Sequence, residues 1–153
     1  MKSDGEASAT RLLHLRFRAL PEQLKPVRDA IGAALCGAGC DFAVVGDVKL
    51  AVCEACQNII RHAYCGEEGD VVLEIAWEPP GAAAEKGRLV VMLTDFAPPV
   101  DTASICPRAL EDLRPGGLGT HIIRAVMDEV AFLPPPEGAG NVLKMVKEVG
   151  TPS

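Results

Sequence analysis

Glu54 and Asn58 stand four positions apart in the segment LAVCEACQNIIRHAY, whose pattern predicts a helix. At that spacing two side chains leave one helix face a turn apart and can reach a single ligand. An amide oxygen is a hard, neutral donor suited to octahedral magnesium, which takes few protein ligands and completes its shell with phosphate oxygens and water. A carboxylate one turn away can accept the proton of an attacking hydroxyl. His62 lies one further turn along. Taken singly, the pair also fits an ordinary solvated helix face, so it gains meaning only from its companions.

Two further segments offer them. Asp95 closes the apolar run from Arg88 to Thr94 and opens TDFAPPVD, which puts a carboxylate at a strand end, where ligand pockets often form. It can accept from an exocyclic amine, although an Asp shortly before Pro98 and Pro99 also reads as a turn former. Gly116, Gly117 and Gly119, in the run GGLG, directly precede a helical pattern. Glycines there allow close backbone approach, and the unpaired N–H groups of a helix start face an anion. The run lacks the Lys and Ser/Thr of a Walker A loop and the spacing of a dinucleotide fingerprint, and a plain loop-to-helix joint explains it equally well in isolation.

The elements that must carry these residues follow from periodicity. Residues 1–10 are polar and small and read as a disordered tail; Leu13, Leu15 and Phe17 then alternate with His14, Arg16 and Arg18, as in a half-buried strand near a sheet edge. Pro21 opens a helix with Leu24, Val27, Ile31, Ala34 and Leu35 on one face, stopped by Gly37 and Gly39. Asp41 is placed to cap a second helix from about Phe42 to Tyr64, ended by Cys65 and Gly66. Val71 to Trp77 and Arg88 to Thr94 read as a hairpin across a loop from Pro79 to Lys86. A long, proline-rich connection from Asp95 to Pro115, with a short helix around Pro107 to Leu113, has the length of a functional loop. Beyond GGLG a helix shows Ile122, Ile123, Val126 and Val130 on its apolar side. A short strand from Val130 to Leu133, the turn PPPEGAG and a strand from Val142 to Val149 complete a second hairpin. The expected architecture is α/β, more strictly α+β: a two-layer sandwich whose mixed, mostly antiparallel sheet is covered on one face by helices, with residues 11–150 as one domain.

Composition narrows the functions. The chain has 153 residues, 48% of them hydrophobic, enough for one buried core. A formal net charge of -6 disfavours binding to phosphate backbones. Neither a signal peptide nor an apolar membrane span is recognisable, so a cytoplasmic location and no membrane or nucleic-acid partner are expected. Of the six cysteines, Cys53 and Cys56 fall inside a helical pattern rather than on a metal-presenting turn, and reduced, partly buried thiols explain the set most simply.

In order and spacing, E-x-x-x-N-x-x-x-H-A-Y, then D-x-A-P-P-x-D, then GGLG before a helix, then G-N-V-L-K-M-V-K together resemble the anti-sigma-factor serine kinases of the RsbW/SpoIIAB type, in the GHKL (Bergerat-fold) ATPase superfamily. The resemblance runs from about Leu12 to Val149. It implies ATP and Mg2+ as cofactors, with Glu54 as general base, Asn58 as magnesium ligand and His62 in a supporting place. It further implies that Asp95 bonds the adenine amino group and that Asp101 closes that box. Gly116, Gly117, Leu118, Gly119 and Thr120 would form the lid over the phosphates. Ala97 stands where such proteins usually carry glycine, and Val142 and Val146 where they often carry threonine, so contacts to the base are expected to be fewer. The implied partners are a sigma factor and an anti-anti-sigma antagonist of the STAS type whose serine is phosphorylated, with a homodimer as the expected assembly. Two alternatives accompany this reading: a non-catalytic nucleotide-binding module that sequesters a protein, and the catalytic domain of a sensor histidine kinase, disfavoured because no phosphoacceptor helix precedes it.

Overall fold

The computed structural model describes residues 9–64, 69–82, 85–97, 118–134 and 136–150, and of residues 62, 63 and 118–120 the backbone alone. Five strands, β1 (Thr10–Arg18), β2 (Asp70–Glu78), β3 (Gly87–Asp95), β4 (Glu129–Leu133) and β5 (Asn141–Val149), form one sheet in the order β1-β2-β3-β5-β4. All four pairings among the described residues are antiparallel, so the sheet is antiparallel where a mixed, mostly antiparallel one was expected. β1 lies at an edge, as its alternation predicted, and its register slips by one residue between Arg11 and Leu13, a β-bulge.

The helices among the described residues are α1 (Leu24–Gly37), α2 (Phe42–Asn58) and α3 (Leu118–Val126). The period-two pattern sorts each strand onto two faces. Val71, Leu73 and Ile75 of β2, Leu89, Val91 and Leu93 of β3, and Leu143 and Met145 of β5 meet Val27, Ile31 and Leu35 of α1 and Val45, Val48, Val52 and Cys56 of α2 in one core. Each of the larger side chains buried there contributes about 1.5–3 kcal/mol relative to exposure. The opposite sheet face carries rows of polar and charged neighbours, such as Arg11 and His14 near Glu74, and Arg88 between Glu78 and Glu129.

Several local expectations change. Pro21 opens a 3-10 turn, Pro21–Gln23, before α1 begins at Leu24. α1 ends in a Schellman pattern: the Gly39 N–H donates to the Cys36 carbonyl and the Cys40 N–H to the Leu35 carbonyl, with Gly39 at a φ of 86°. Asp41 occupies the N-cap of α2 without a side-chain cap; its backbone carbonyl takes the Val45 N–H. The second helix is not α-helical through to Tyr64: Ile59–Ala63 form a π-helical turn closed by the Tyr64 N–H on the Ile59 carbonyl. Val130 belongs to β4, not to the apolar side of α3, which stops at Val126. The tail through residue 8, the short helix around Pro107 to Leu113, Asp101, Gly116 and Gly117 lie outside the described residues.

Candidate functional site

α2 packs on α1 along one flank and on α3 along the other. Val48, Val52, Ala55 and Cys56 point into the core, and Cys53 and Lys49 lie on the α1 side, Cys53 feeling Arg28 and Lys49 reaching over Gly32. Helical periodicity therefore turns Asp47, Ala51, Glu54 and Asn58 toward the α3 side. Glu54 and Asn58 are both half-buried there, one turn apart. Lys147 fixes the geometry of this flank from β5: its Nζ lies 2.9 Å from an Asp47 carboxylate oxygen and donates at 2.8 Å to the Val126 carbonyl at the end of α3. A single ammonium thus ties α2 to α3, and its position at a helix C-terminus complements the carbonyl dipoles there. The turn beyond α3 is also fixed, since the Asp128 N–H donates to the Val146 carbonyl and the Glu148 N–H to the Asp128 carboxylate at 2.7 Å.

Asp95, the last residue of β3, is only 3% exposed, yet it forms no ion pair among the described residues. Its Oδ1 accepts from the Ala97 N–H at 3.1 Å and from the Asn141 side-chain amide at 3.0 Å, while its carbonyl accepts from the Gly140 N–H. Burial pushes the carboxyl above the ordinary aspartate value, and the Asn141 and Ala97 donors pull partly against that rise. Gly140 is required by close approach: a Cβ there would stand 2.8 Å from the Ala97 nitrogen and would overlap the Ala97 carbonyl oxygen. The backbone space around Ala97 is thus supplied by a glycine just ahead of the neighbouring strand.

Register separates Val142 and Val146 from Asp95. Asp95 pairs with Asn141, and both share the helix-covered face with Leu93 and Leu143. Val142 and Val146 pair with Thr94 and Val90 and lie on the opposite face. The polar neighbour of Asp95 is Asn141, which sequence reasoning passes over because an Asn beside a Gly reads as part of a turn. Of the remaining expected residues, His62 falls by its backbone in the π turn, and Leu118, Gly119 and Thr120 open α3. Four free thiols are present among the described residues, Cys36, Cys40, Cys53 and Cys56. Burial pushes Cys56 up to about 12, the behaviour of an inert core thiol.

Two parts of the chain, a helix flank with an acid and an amide and a buried carboxylate at a strand end, are therefore held on one sheet-and-helix frame, with α3 brought against the helix that carries the first. Residues 17–147 match the model of the histidine kinase-like ATPase domain. This chain belongs to that family. As a histidine kinase-like ATPase domain it is an ATP-using fold. It is 32% identical over 111 residues to serine-protein kinase RsbW of Halalkalibacterium halodurans, spanning 67% of this chain and 62% of that protein. It is 25% identical over 144 residues to serine-protein kinase RsbW of Staphylococcus aureus, spanning 89% and 87% of the two chains. It is 26% identical over 130 residues to serine-protein kinase RsbW of Bacillus pumilus, spanning 78% and 76%. A solved structure of the RsbU and RsbW domains of Rv1364c from Mycobacterium tuberculosis superposes with a TM-score of 0.58 at 15% identity. The match covers 96% of this chain but 34% of that one, and it supports the Bergerat-type fold alone. No helix among the described residues is long and apolar enough to cross a membrane.

Proposed function

We propose that this histidine kinase-like ATPase domain is an anti-sigma regulatory factor with serine/threonine protein kinase activity: it binds ATP with magnesium in the cytoplasm and phosphorylates a serine of an anti-anti-sigma antagonist. The observation that carries the reading is Asp95, a buried carboxylate without a cation partner among the described residues. A buried carboxylate held by neutral donors alone, with its pKa raised by burial, is a functional-site candidate. The Ala97 N–H and the Asn141 side-chain amide both fall on Oδ1, the Asn141 backbone N–H also donates to the carboxyl, and a carboxylate offers about four lone-pair sites over its two oxygens, so acceptor capacity is left for the adenine amino group.

The donor set on α2 fits magnesium rather than a softer ion, because a half-buried amide oxygen beside a half-buried carboxylate offers hard oxygen and few protein ligands. Asn58 would hold the ion, and magnesium would neutralise charge on the transferring phosphoryl group. Glu54 accepts the proton from the attacking serine hydroxyl. The first turn of α3, from Leu118 through Gly119 to Thr120, with Gly116 and Gly117 ahead of it, offers backbone N–H groups to the phosphates. The family resemblance would give His62 a supporting place in the helix motif and Asp101 the closing place in the base-binding box. The names of the relatives support the kinase assignment, and the implied partners are a sigma factor and its STAS-type antagonist, with a homodimer as the working assembly.

The grounds for a non-catalytic module weaken in one respect, because Val142 and Val146 do not share the face of Asp95. The deciding experiment is radiolabelled ATP with a STAS-type antagonist protein as the phosphate acceptor. Wild type is expected to produce phosphoserine, and Glu54→Gln to lower turnover by about 10²–10⁴-fold while ATP affinity is retained. Equal turnover by the two proteins would remove Glu54 as the base.

A further inference from the structure

The helix motif E-x-x-x-N-x-x-x-H-A-Y ends on a tyrosine that the proposed mechanism does not use. Tyr64 comes directly after the π turn, and its N–H closes that turn on the Ile59 carbonyl. A π turn holds one residue more than an α turn and so rotates the residues beyond it relative to the helix. Here the rotation delivers the Tyr64 phenol to the end of the sheet where Asp95 sits. The hydroxyl donates to the Asp70 carbonyl at 2.7 Å and accepts from the Phe96 N–H at 2.8 Å. Phe96 is the residue immediately after Asp95.

The link is closed by a second path. The Asp70 carboxylate pairs with Arg16 at 2.8 Å, and the Arg16 guanidinium stacks 5.0 Å from the centroid of the Phe96 ring. Tyr64, Asp70, Arg16 and Phe96 therefore form a circuit that joins the end of the α2 segment, β2, β1 and the loop leaving β3. Gly69 completes its packing: a Cβ there would overlap the Tyr64 ring carbons, and the Gly69 carbonyl is itself held by the Ala19 N–H at 2.7 Å. A ring seated in that slot has little freedom to swing. The chain thus devotes a specialised helix ending, a glycine and an ion pair to holding one hydroxyl in place.

We infer that Tyr64 is a positioning residue of the nucleotide site, its hydroxyl fixing the Asp95–Phe96 loop against the end of the helix that carries Glu54 and Asn58. The inference rests on the reading of Asp95 as the base-binding carboxylate. Without the hydroxyl, the Phe96 N–H and the Asp70 carbonyl lose their partner while the ring keeps its slot, so Tyr64→Phe separates positioning from packing.

The test is ATP affinity and steady-state kinetics of the full chain, wild type against Tyr64→Phe. Amide hydrogen exchange at Phe96 is read without ligand. Tyr64→Phe is expected to raise Kd and KM for ATP about tenfold, to leave kcat at saturating ATP within about twofold, and to speed exchange at Phe96 about tenfold with the Val91 and Leu73 amides unchanged. In an Asp95→Asn background the same substitution is expected to cost less than about twofold, because the group it positions is already lost. A full tenfold cost in that background, or an unchanged Kd in Tyr64→Phe, overturns the inference while leaving the functional reading standing. Failure of the wild type to bind ATP overturns the functional reading, and the role of Tyr64 with it. Should Tyr64→Phe not fold, Gly69→Ala displaces the same ring from outside, and an unchanged Kd there overturns the inference equally.

Discussion

The two ends of the proposed nucleotide site are built on different principles. Around Asp95, polar groups are buried and held from several directions: Asn141 and Ala97 on the carboxylate, Gly140 on its carbonyl, Tyr64 on the next N–H. Around Glu54 and Asn58, two half-buried side chains stand on a helix flank against α3, and the firm ties of that segment, Lys147 on Asp47 and Tyr64 on Asp70 and Phe96, lie to either side of the pair. A base is a rigid, uncharged plane, and recognising it requires acceptors fixed before it arrives. Phosphates and a protein substrate must enter and leave, so the groups that serve them cannot be sealed in place to the same degree. The contrast is between an end that selects and an end that turns over.

Substitutions at the Asp95 end break this contrast most sharply. Asp95→Asn is expected to weaken ATP and adenosine alike, by about 10–100-fold, as expected for loss of a charge-assisted hydrogen bond, measured by calorimetry. If adenosine binding survived while ATP binding fell, the base-binding assignment would be wrong.

A smaller effect is expected from Asn141→Ala, about three- to tenfold in ATP affinity, together with a change in its pH dependence. Ligand binding needs the ionised carboxylate, whose pKa is raised by burial and pulled back by the Asn141 donor. ATP affinity therefore falls as pH drops through that raised pKa, and removing Asn141 moves the fall to higher pH. Tyr64 is the titratable group that faces Asp95, and its own pKa is raised, first by burial, so it stays neutral through this window. For stability the sign is opposite. The folded state binds the extra proton, so the ionised carboxyl costs stability as pH rises from the ordinary aspartate value through the raised one. A pH profile of affinity that did not move in Asn141→Ala would reduce that residue to packing.

The smallest effect is expected at Val142→Thr. The side chain lies on the sheet face away from Asp95, so ATP affinity should change by less than about twofold while stability falls by roughly 1 kcal/mol, read from denaturant titration. Improved affinity would move the base to the sheet face that Val142 occupies.

Much of the frame was legible in the chain. Strict alternation in Leu13 to Phe17 and the apolar face of Leu24 to Leu35 specify an edge strand and a sheet-covering helix because those periods have one structural solution each. The family motifs single out Glu54, Asn58 and Asp95 as the proposed site residues. Three features were not legible, each for a physical reason. A single π turn leaves too short a signature in residue order to distinguish from a continuing α-helix, so the delivery of Tyr64 to Phe96 was invisible. Register decides whether Asn141 or Val142 faces Asp95, and a one-residue difference exchanges the faces. Asp41 has the right type for a capping side chain, but that side chain makes no capping bond, and its carbonyl accepts the first bond of the helix as at any N-cap.

The bulge in β1 bears on a different property, the behaviour of this chain among many copies of itself. β1 is nine residues long at the margin of the sheet, and a straight strand of that length is a template onto which a foreign strand can add. The slip between Arg11 and Leu13 bends the margin and puts its amides out of step, and Arg11, His14, Arg16 and Arg18 project solvated charge and bulk beside it. The protein thereby keeps an open sheet boundary in a crowded cell without offering it for indiscriminate polymerisation.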